Sequence, residues 1–343
     1  MDTSLIIGMV VLATIAGGYI AASIILLRFP NILHKKKKLR FKPVHISHRG
    51  GAGENCENTL TSFRHAVSKR TEMLELDVHL TRDGEVVVSH DGHLLAKCGI
   101  DADIASLDFK DLPCYKPEMK VDFKPGFTLH CGEDRRIPTL REVFSTFPNS
   151  PINIDLKVYN EELIRKVHQL MKEYGREDLT IWGARSNQTT IALYKLDPSI
   201  PVFFSFTRVL ALVICFYTGL LPFIPIKESA LEIIMPSIAL RKGSFPVELS
   251  WKIRTLLRVF DMLMMRPALF KHLERRGIQT YLWVLNEEED FSRAFKLGAT
   301  GVMTDFPTKL TNFLEQHPQY WPQIDGRNAG NQDSQPLNST EDG

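Results

Sequence analysis

Cysteine is scarce in this 343-residue chain. Its five copies (Cys56, Cys98, Cys114, Cys131 and Cys215) are scattered, with no CxxC spacing among them. That excludes a disulfide-built scaffold and a structural zinc site, and makes a reducing compartment the default. An excess of one charge is also lacking: 42 Lys+Arg face 40 Asp+Glu, a formal net charge of +2. Seven of the bases sit in residues 28–42, where there is no acid, so the remainder is mildly acidic. The basic character is one local patch, which argues against a nucleic-acid partner. No internal repeat or low-complexity tract dominates. With 44% hydrophobic and 24% charged residues, the composition is that of a globular protein.

Long hydrophobic runs are few, but one is long enough to matter. Leu5 to Leu27 is 23 residues without a charge, and about 20 span a bilayer as a helix. A cleavable signal peptide is the alternative, with Ala21-Ala22-Ser23 as the cleavage site. Against it stand the length of the run and the lack of a basic residue before it. Residues 1–27 therefore read as a single-pass anchor and 28–42 as a basic juxtamembrane segment. Bases beside a span bias that end to the cytosol and attract an anionic membrane surface. The body, residues 43–314, is then expected in the cytosol, with a luminal placement left open. Residues 315–343 read as a disordered tail. The sequence points to no protein partner.

Within the body, short β-rich runs alternate with helical patterns. Eight runs read as strands: His45–His48, Leu74–Val78, Val86–His90, Ile152–Lys157, Leu179–Trp182, Val202–Ser205, Tyr281–Leu285 and Gly301–Asp305. A ninth, Glu232–Pro236, is surplus to that count. Eight strands with intervening helices predict an α/β fold, a (β/α)8 TIM barrel. Residues 92–138 and 206–267 are too long for simple connections and read as insertions. The second contains Val209–Ile226, 18 residues without a charge, broken by Gly219, Pro222 and Pro225. A second crossing there would split the barrel across the bilayer. A buried core helix and a hydrophobic element dipping into one leaflet beside the barrel mouth are the two readings, and the latter is favoured.

Strand period two puts Glu75 and Asp77 on one face of their strand, and Leu74, Leu76 and Val78 on the other. The apolar face belongs against helices, so both carboxylates project into the barrel. There they need a positive partner, either a divalent cation or a buried Arg or Lys. The same parity aligns Asn153, Asp155 and Lys157. Asp155 adds a third oxygen ligand, a set suited to Mg²⁺ or Ca²⁺, and Lys157 a cation for phosphate. His48 and His90 close two strands and read as a general base and general acid. His90 is also a candidate metal ligand, and Arg49 offers a fork for phosphate oxygens.

These residues, in order and spacing, resemble the glycerophosphodiester phosphodiesterase family. The resemblance rests on His48-Arg-Gly, Glu57-Asn-Thr59, Glu75-Leu-Asp-Val78, Thr81-x-Asp-Gly84, Val86-Val-Val-Ser-His-Asp91, Trp283-Val-Leu-Asn286 and Thr304-Asp-Phe-Pro307. It implies a TIM barrel, a divalent metal held by Glu75, Asp77 and Asp155, and a two-histidine mechanism. It also implies phosphate or substrate contacts from Arg49, Lys157, Glu57 and Trp283. Asp155 stands where the family usually has Glu, one methylene longer, so a bridging water is the alternative to direct ligation. The anchor, the basic block and Gly219-Leu-Leu-Pro-Phe-Ile-Pro225 are similar to the membrane-bound branch associated with lysophospholipase D activity in the endoplasmic reticulum. The expectation is therefore a hydrolase of lysophospholipids that releases lysophosphatidic acid. A hydrolase of soluble glycerophosphodiesters and an inactive lipid-binding barrel are the alternatives.

Overall fold

The computed structural model describes residues 3–241 and 249–321. Its strands are β1 (His45–Ser47), β2 (Met73–Leu80), β3 (Val86–Val88), β4 (Glu118–Lys120), β5 (Thr128–His130), β6 (Ile152–Leu156), β7 (Thr180–Gly183), β8 (Ala230–Ile234), β9 (Gln279–Trp283) and β10 (Gly301–Thr304). Seven of them pair in the order β7-β6-β2-β1-β10-β9-β8. The two edges meet at the extended residues Val202 and Phe203. Parallel bridges join Val202 to Trp182 of β7 and Phe203 to Ala230 of β8, and the Ser229 N–H donates to the Val202 carbonyl at 2.7 Å. Eight parallel segments thus close a ring, the (β/α)8 barrel expected from the alternating pattern.

Two assignments change. Val86–His90, expected as a barrel strand, begins as β3, which runs antiparallel to β2 with Val78 opposite Val88. It is a hairpin folded back on the barrel rim. The surplus run around Glu232 is instead a full barrel strand, β8, paired along its length with β9.

Side-chain parity sorts the barrel into layers. Leu74, Leu76 and Val78 of β2 join Ile152, Ile154 and Leu156 of β6 in an outer core with the helix residues Phe63, Ala66, Leu163 and Val167. Inside, Ile46, Met73, Ile181, Phe203, Ala230, Tyr281 and Met303 form a separate apolar cluster. These positions lie toward the strand starts, so the cluster plugs the N-terminal half of the barrel. One step further along the same inward faces the residues turn polar: Glu75, Asp77, Asn153, Asp155 and Glu232. The ring of charge therefore sits at the C-terminal end, on an apolar floor. Gly183 is needed where Phe203 crosses, since a Cβ there would lie 2.6 Å from its ring.

Helices surround the barrel, each following from its local sequence. Leu60–Ser68 starts at Thr59, whose side chain accepts from the Ser62 N–H in a capping box. Glu161–Glu173 is capped by Asn160 and buries Leu163, Ile164, Val167, Leu170 and Met171, the single apolar stripe of a helix lying on a sheet. The C-terminal helix continues to Gln316. Beyond it the Arg70 guanidinium lies 4.2 Å over the Trp321 ring, so packing extends to Trp321, into the segment expected to be tail. The rest of that tail lies outside the described residues.

Thr3–Arg28 is one helix of 26 residues, and among the described residues it alone is long and apolar enough to cross a membrane. Its last turns dock on the run Val209–Ile226, which forms a helix, Phe206–Tyr217, and a tight turn at Leu221–Phe223. The Tyr19 hydroxyl donates to the Thr218 carbonyl at 2.6 Å and Ser23 to Gly219 at 2.8 Å, while Tyr19 stacks on Phe223. Gly219 has φ +77°, and a Cβ there would lie 2.8 Å from Ser23 Oγ, so both backbone and contact call for glycine. The chain then passes beneath the strand starts: the Lys37 N–H donates to the Arg276 carbonyl and its ammonium to the Glu228 backbone carbonyl at 2.8 Å. Lys37 is thereby turned onto the protein, while Lys35, Lys36, Lys38 and Arg40 stay exposed.

Candidate active site

His48 follows β1 directly and is buried. Its Nδ1 lies 2.7 Å from Asp305 Oδ1, at the end of β10. A carboxylate only accepts, so Nδ1 carries the proton and Nε2 keeps its lone pair. The Asp305 carboxylate is in turn fixed by the Asn286 amide, 3.0 Å from Oδ2. Burial and the neighbouring Arg49 push the His48 pKa below its ordinary value, against the opposing pull of Asp305. The imidazole is therefore neutral at pH 7, the state a general base requires.

Arg49 has φ 51°, a left-handed conformation rare for a residue with a side chain. The bend turns its N–H onto Glu75 Oε2 at 2.8 Å and its guanidinium toward Glu57 (3.2 Å) and Asp122 (2.8 Å). Lys97 reaches the same two carboxylates at 3.2 and 3.4 Å. Glu57 thus holds Arg49 and Lys97 in place as an ion partner.

Asp77 and Asp155 sit opposite each other in the β2–β6 register. Lys157 lies between them, with Nζ 2.7 Å from Asp77 Oδ1 and 2.6 Å from Asp155 Oδ2. The Asn58 amide donates to Asp77 Oδ2 at 3.2 Å. Burial would raise the Asp77 pKa, but Lys157 and Arg49 outweigh it and hold the group below the usual carboxylate range. Burial and the neighbouring Asp77 push Glu75 well up, and burial also raises Asp155.

The donor set of Glu75, Asp77 and Asp155 is all oxygen, which suits a hard divalent cation. Asp155 Oδ1 is buried with no hydrogen-bond partner, and Asp77 Oδ1 meets Lys157 outside hydrogen-bond geometry. Two carboxylate oxygens with unfilled capacity on facing strands fit such a group. Among the described residues no three His, Cys, Asp or Glu side chains converge on one point, because the Lys157 ammonium lies between the two aspartates.

His90 hangs over the rim from the β2–β3 hairpin, where the Ser89 N–H donates to the Asp77 carbonyl at 2.9 Å. Its Nδ1 is 2.7 Å from Asp91 Oδ1, and His79 Nε2 donates to its carbonyl at 3.2 Å. The insertion at 92–138 closes over the other side through the β4–β5 hairpin, whose loop carries Asp122 and Phe123. The Phe123 ring meets His48 edge-on at 5.7 Å and Trp283 at 6.2 Å, so Trp283 contributes an aromatic wall.

The structure thus brings His48, Arg49, Glu57, Glu75, Asp77, His90, Asp155, Lys157 and Trp283 to one end of the barrel. Sequence reasoning assigned no role to Asp305, Asn286, Lys97, Asn58 or Asp122. Asp305 and Asn286 were within reach, since each ends or follows a strand on the same rim. Lys97 and Asp122 lie in an insertion with no strand parity to read.

Residues 48–309 match the Glycerophosphoryl diester phosphodiesterase family. Lysophospholipase D GDPD1 of Homo sapiens is 52% identical over 298 residues, covering 87% of this chain and 94% of the relative. Lysophospholipase D GDPD3 of Homo sapiens is 42% identical over 301 residues, covering 88% and 94%. Among solved structures, the glycerophosphoryl diester phosphodiesterase domain of a Mycobacterium tuberculosis protein superposes with TM-score 0.62 at 16% identity, over 80% of this chain and 99% of that one. That likeness speaks to the fold. The match spans every residue of the rim from His48 to Asp305, and the chain belongs to the glycerophosphoryl diester phosphodiesterase family, as a phosphodiester hydrolase.

Proposed function

We propose that this hydrolase is a membrane-anchored, metal-dependent lysophospholipase D that converts lysophosphatidylcholine, lysophosphatidylethanolamine or their N-acyl analogues to lysophosphatidic acid and the free alcohol. One observation carries the finer reading: relatives sharing up to 52% of its residues, along 94% of their own length, are named lysophospholipase D.

In this mechanism His48 Nε2 accepts the proton of the substrate's free glycerol hydroxyl as that oxygen attacks phosphorus. His90 gives a proton to the departing headgroup oxygen. The resulting cyclic phosphate is opened by water with the two histidines exchanging roles. Arg49 and Lys157 orient the phosphoryl oxygens and balance their charge. A Mg²⁺ or Ca²⁺ ion held by Glu75, Asp77 and Asp155 would supply further positive charge to those oxygens. A diacyl lipid lacks the attacking hydroxyl, which makes lysolipids the fitting class. The anchor helix would keep the barrel at a membrane of the endoplasmic reticulum, with its body on the cytosolic side.

The deciding experiment measures choline release from lysophosphatidylcholine by the full chain, with and without a chelator. Chelator-sensitive release is expected. Release only from glycerophosphocholine would replace the lipid reading with a soluble-diester one, and chelator-resistant release would remove the metal.

A further inference from the structure

Most surface helices turn apolar residues inward. The helix Trp251–Met264 does the reverse, and none of its residues is buried. Two of its polar groups face the protein: Asp261 accepts from the Ser237 N–H at 3.0 Å and pairs with Arg293, and Arg254 donates to the Leu240 carbonyl at 3.3 Å. Most of its apolar groups face out, with Trp251 72%, Met262 57% and Leu256 54% exposed, joined by Val259 and Phe260. The outward face also carries Lys252 and Arg258 and no acid, since Asp261 is the helix's one carboxylate.

This face does not stand alone. The Tyr217 hydroxyl donates to the Leu263 carbonyl at 3.1 Å, linking the helix to Phe206–Tyr217. That neighbour exposes Phe206, Leu210, Ile214 and Tyr217, an i, i+4, i+8, i+11 stripe. It leads in turn to Phe223, stacked on Tyr19 of the anchor. Tyr19 lies nine residues and Ser23 five residues before Arg28, so the turn they hold sits about 7–13 Å up the anchor from its basic end. A body docked at that height lies partly within the leaflet.

We propose that Trp251–Met264 is an interfacial helix, lying in the headgroup region of an anionic bilayer with Trp251, Leu256, Val259 and Met262 inserted. An apolar outer face edged by bases is the pattern of such helices. Its place matters for catalysis. It packs on the turn Pro236–Leu240, which leaves the C-terminal end of β8, and Arg241 just beyond is tied to Asp290 at 2.7 Å. The helix therefore borders the catalytic end of the barrel and sets that end against the bilayer, where a lysolipid would enter. This inference rests on the membrane reading of the anchor.

The test uses the full chain in vesicles of phosphatidylcholine and phosphatidylserine whose acyl chains are brominated near the headgroup, with Trp251→Phe as the reference. Bromolipid should quench a blue-shifted emission component that is lost in the variant. If the Trp251 component is untouched by bromolipid and quenched by aqueous iodide, the helix is not interfacial. If it is shielded from both and changes with protein density in the membrane, a second copy covers the face and the proposal falls. Alkaline extraction separates the two readings: a chain that stays with the vesicles but shows no bromolipid quenching refutes this inference alone, whereas a released chain refutes the anchor.

Discussion

His48 Nδ1 donates to Asp305 Oδ1 across 2.7 Å, between residues 257 positions apart in the chain. β1 and β10 are adjacent in the barrel, with Ser47 opposite Thr304, so their next residues reach the rim side by side. The pairing fixes which nitrogen of His48 faces substrate. Asp305→Asn should therefore lower kcat by roughly 10²–10⁴, the range associated with a mis-set general base. The carboxylate raises the His48 pKa, opposing the lowering by burial and Arg49. Its loss should move the acid limb of kcat/KM further down from a wild-type position already below the ordinary histidine value. A pH profile checks this: an unmoved limb would mean that the limb belongs to another group.

His90 supplies the second proton transfer in the proposed mechanism. His90→Ala should lower kcat by roughly 10²–10⁴ for a choline leaving group. It should cost much less for a p-nitrophenol leaving group, which departs without protonation. Equal losses with both substrates, or rescue by excess metal, would make His90 a ligand instead of an acid.

The metal proposal has a readout independent of turnover. Glu75→Gln and Asp77→Asn replace carboxylates by amides, which bind hard cations poorly. Calorimetric titration of the full chain in detergent with Mg²⁺ or Ca²⁺ should show one site, weakened at least about tenfold in each variant, as expected for the loss of about 1.4 kcal/mol of binding. Saturable binding of equal strength in both variants would place the ion elsewhere.

The inner ring was legible because strand parity is rigid. Leu74, Leu76 and Val78 could not share a face with Glu75 and Asp77, and the outer core confirms their separation. Parity does not reveal direction or neighbours. Val86–Val88 reads as a buried strand equally well in a barrel and in the antiparallel hairpin it forms. β8 was set aside although Glu232 is satisfied inside the barrel, through an Asn153 amide 79 residues away. The closing strand at Val202–Phe203 was correctly placed by its β-branched and aromatic run. The Asp122 and Lys97 contacts depend on how a 47-residue insertion folds back, which no local period encodes.

The apolar run Val209–Ile226 docks on the N-terminal helix and forms no helix long enough to span a membrane, so the proposed topology has a single crossing. Tags at residue 200 and at the C-terminus should be protected from protease together or cut together. Opposite fates would require the barrel to straddle the membrane, which its closed ring of strands does not permit.

Glu232 offers a test of the barrel interior that leaves the proposed chemistry alone. Its carboxyl is enclosed and accepts from the Asn153 amide at 2.7 Å. Burial pushes its pKa up to about 8, against the hydrogen bond, and Asp155 adds to the shift. A carboxyl with a raised folded pKa binds its proton more tightly in the folded state than in the unfolded one. Its favourable contribution is complete below the unfolded value, near 4.3, and is lost as pH rises to about 8. Glu232→Gln keeps an oxygen for Asn153 and cannot ionise, so the decline in stability between pH 5 and pH 8 should become shallower. The urea midpoint of the detergent-solubilised chain at the two pH values measures this. The variant should match or fall slightly below the wild type at pH 5 and exceed it at pH 8. Parallel declines in both proteins would show that Glu232 is ionised in the folded barrel throughout that range.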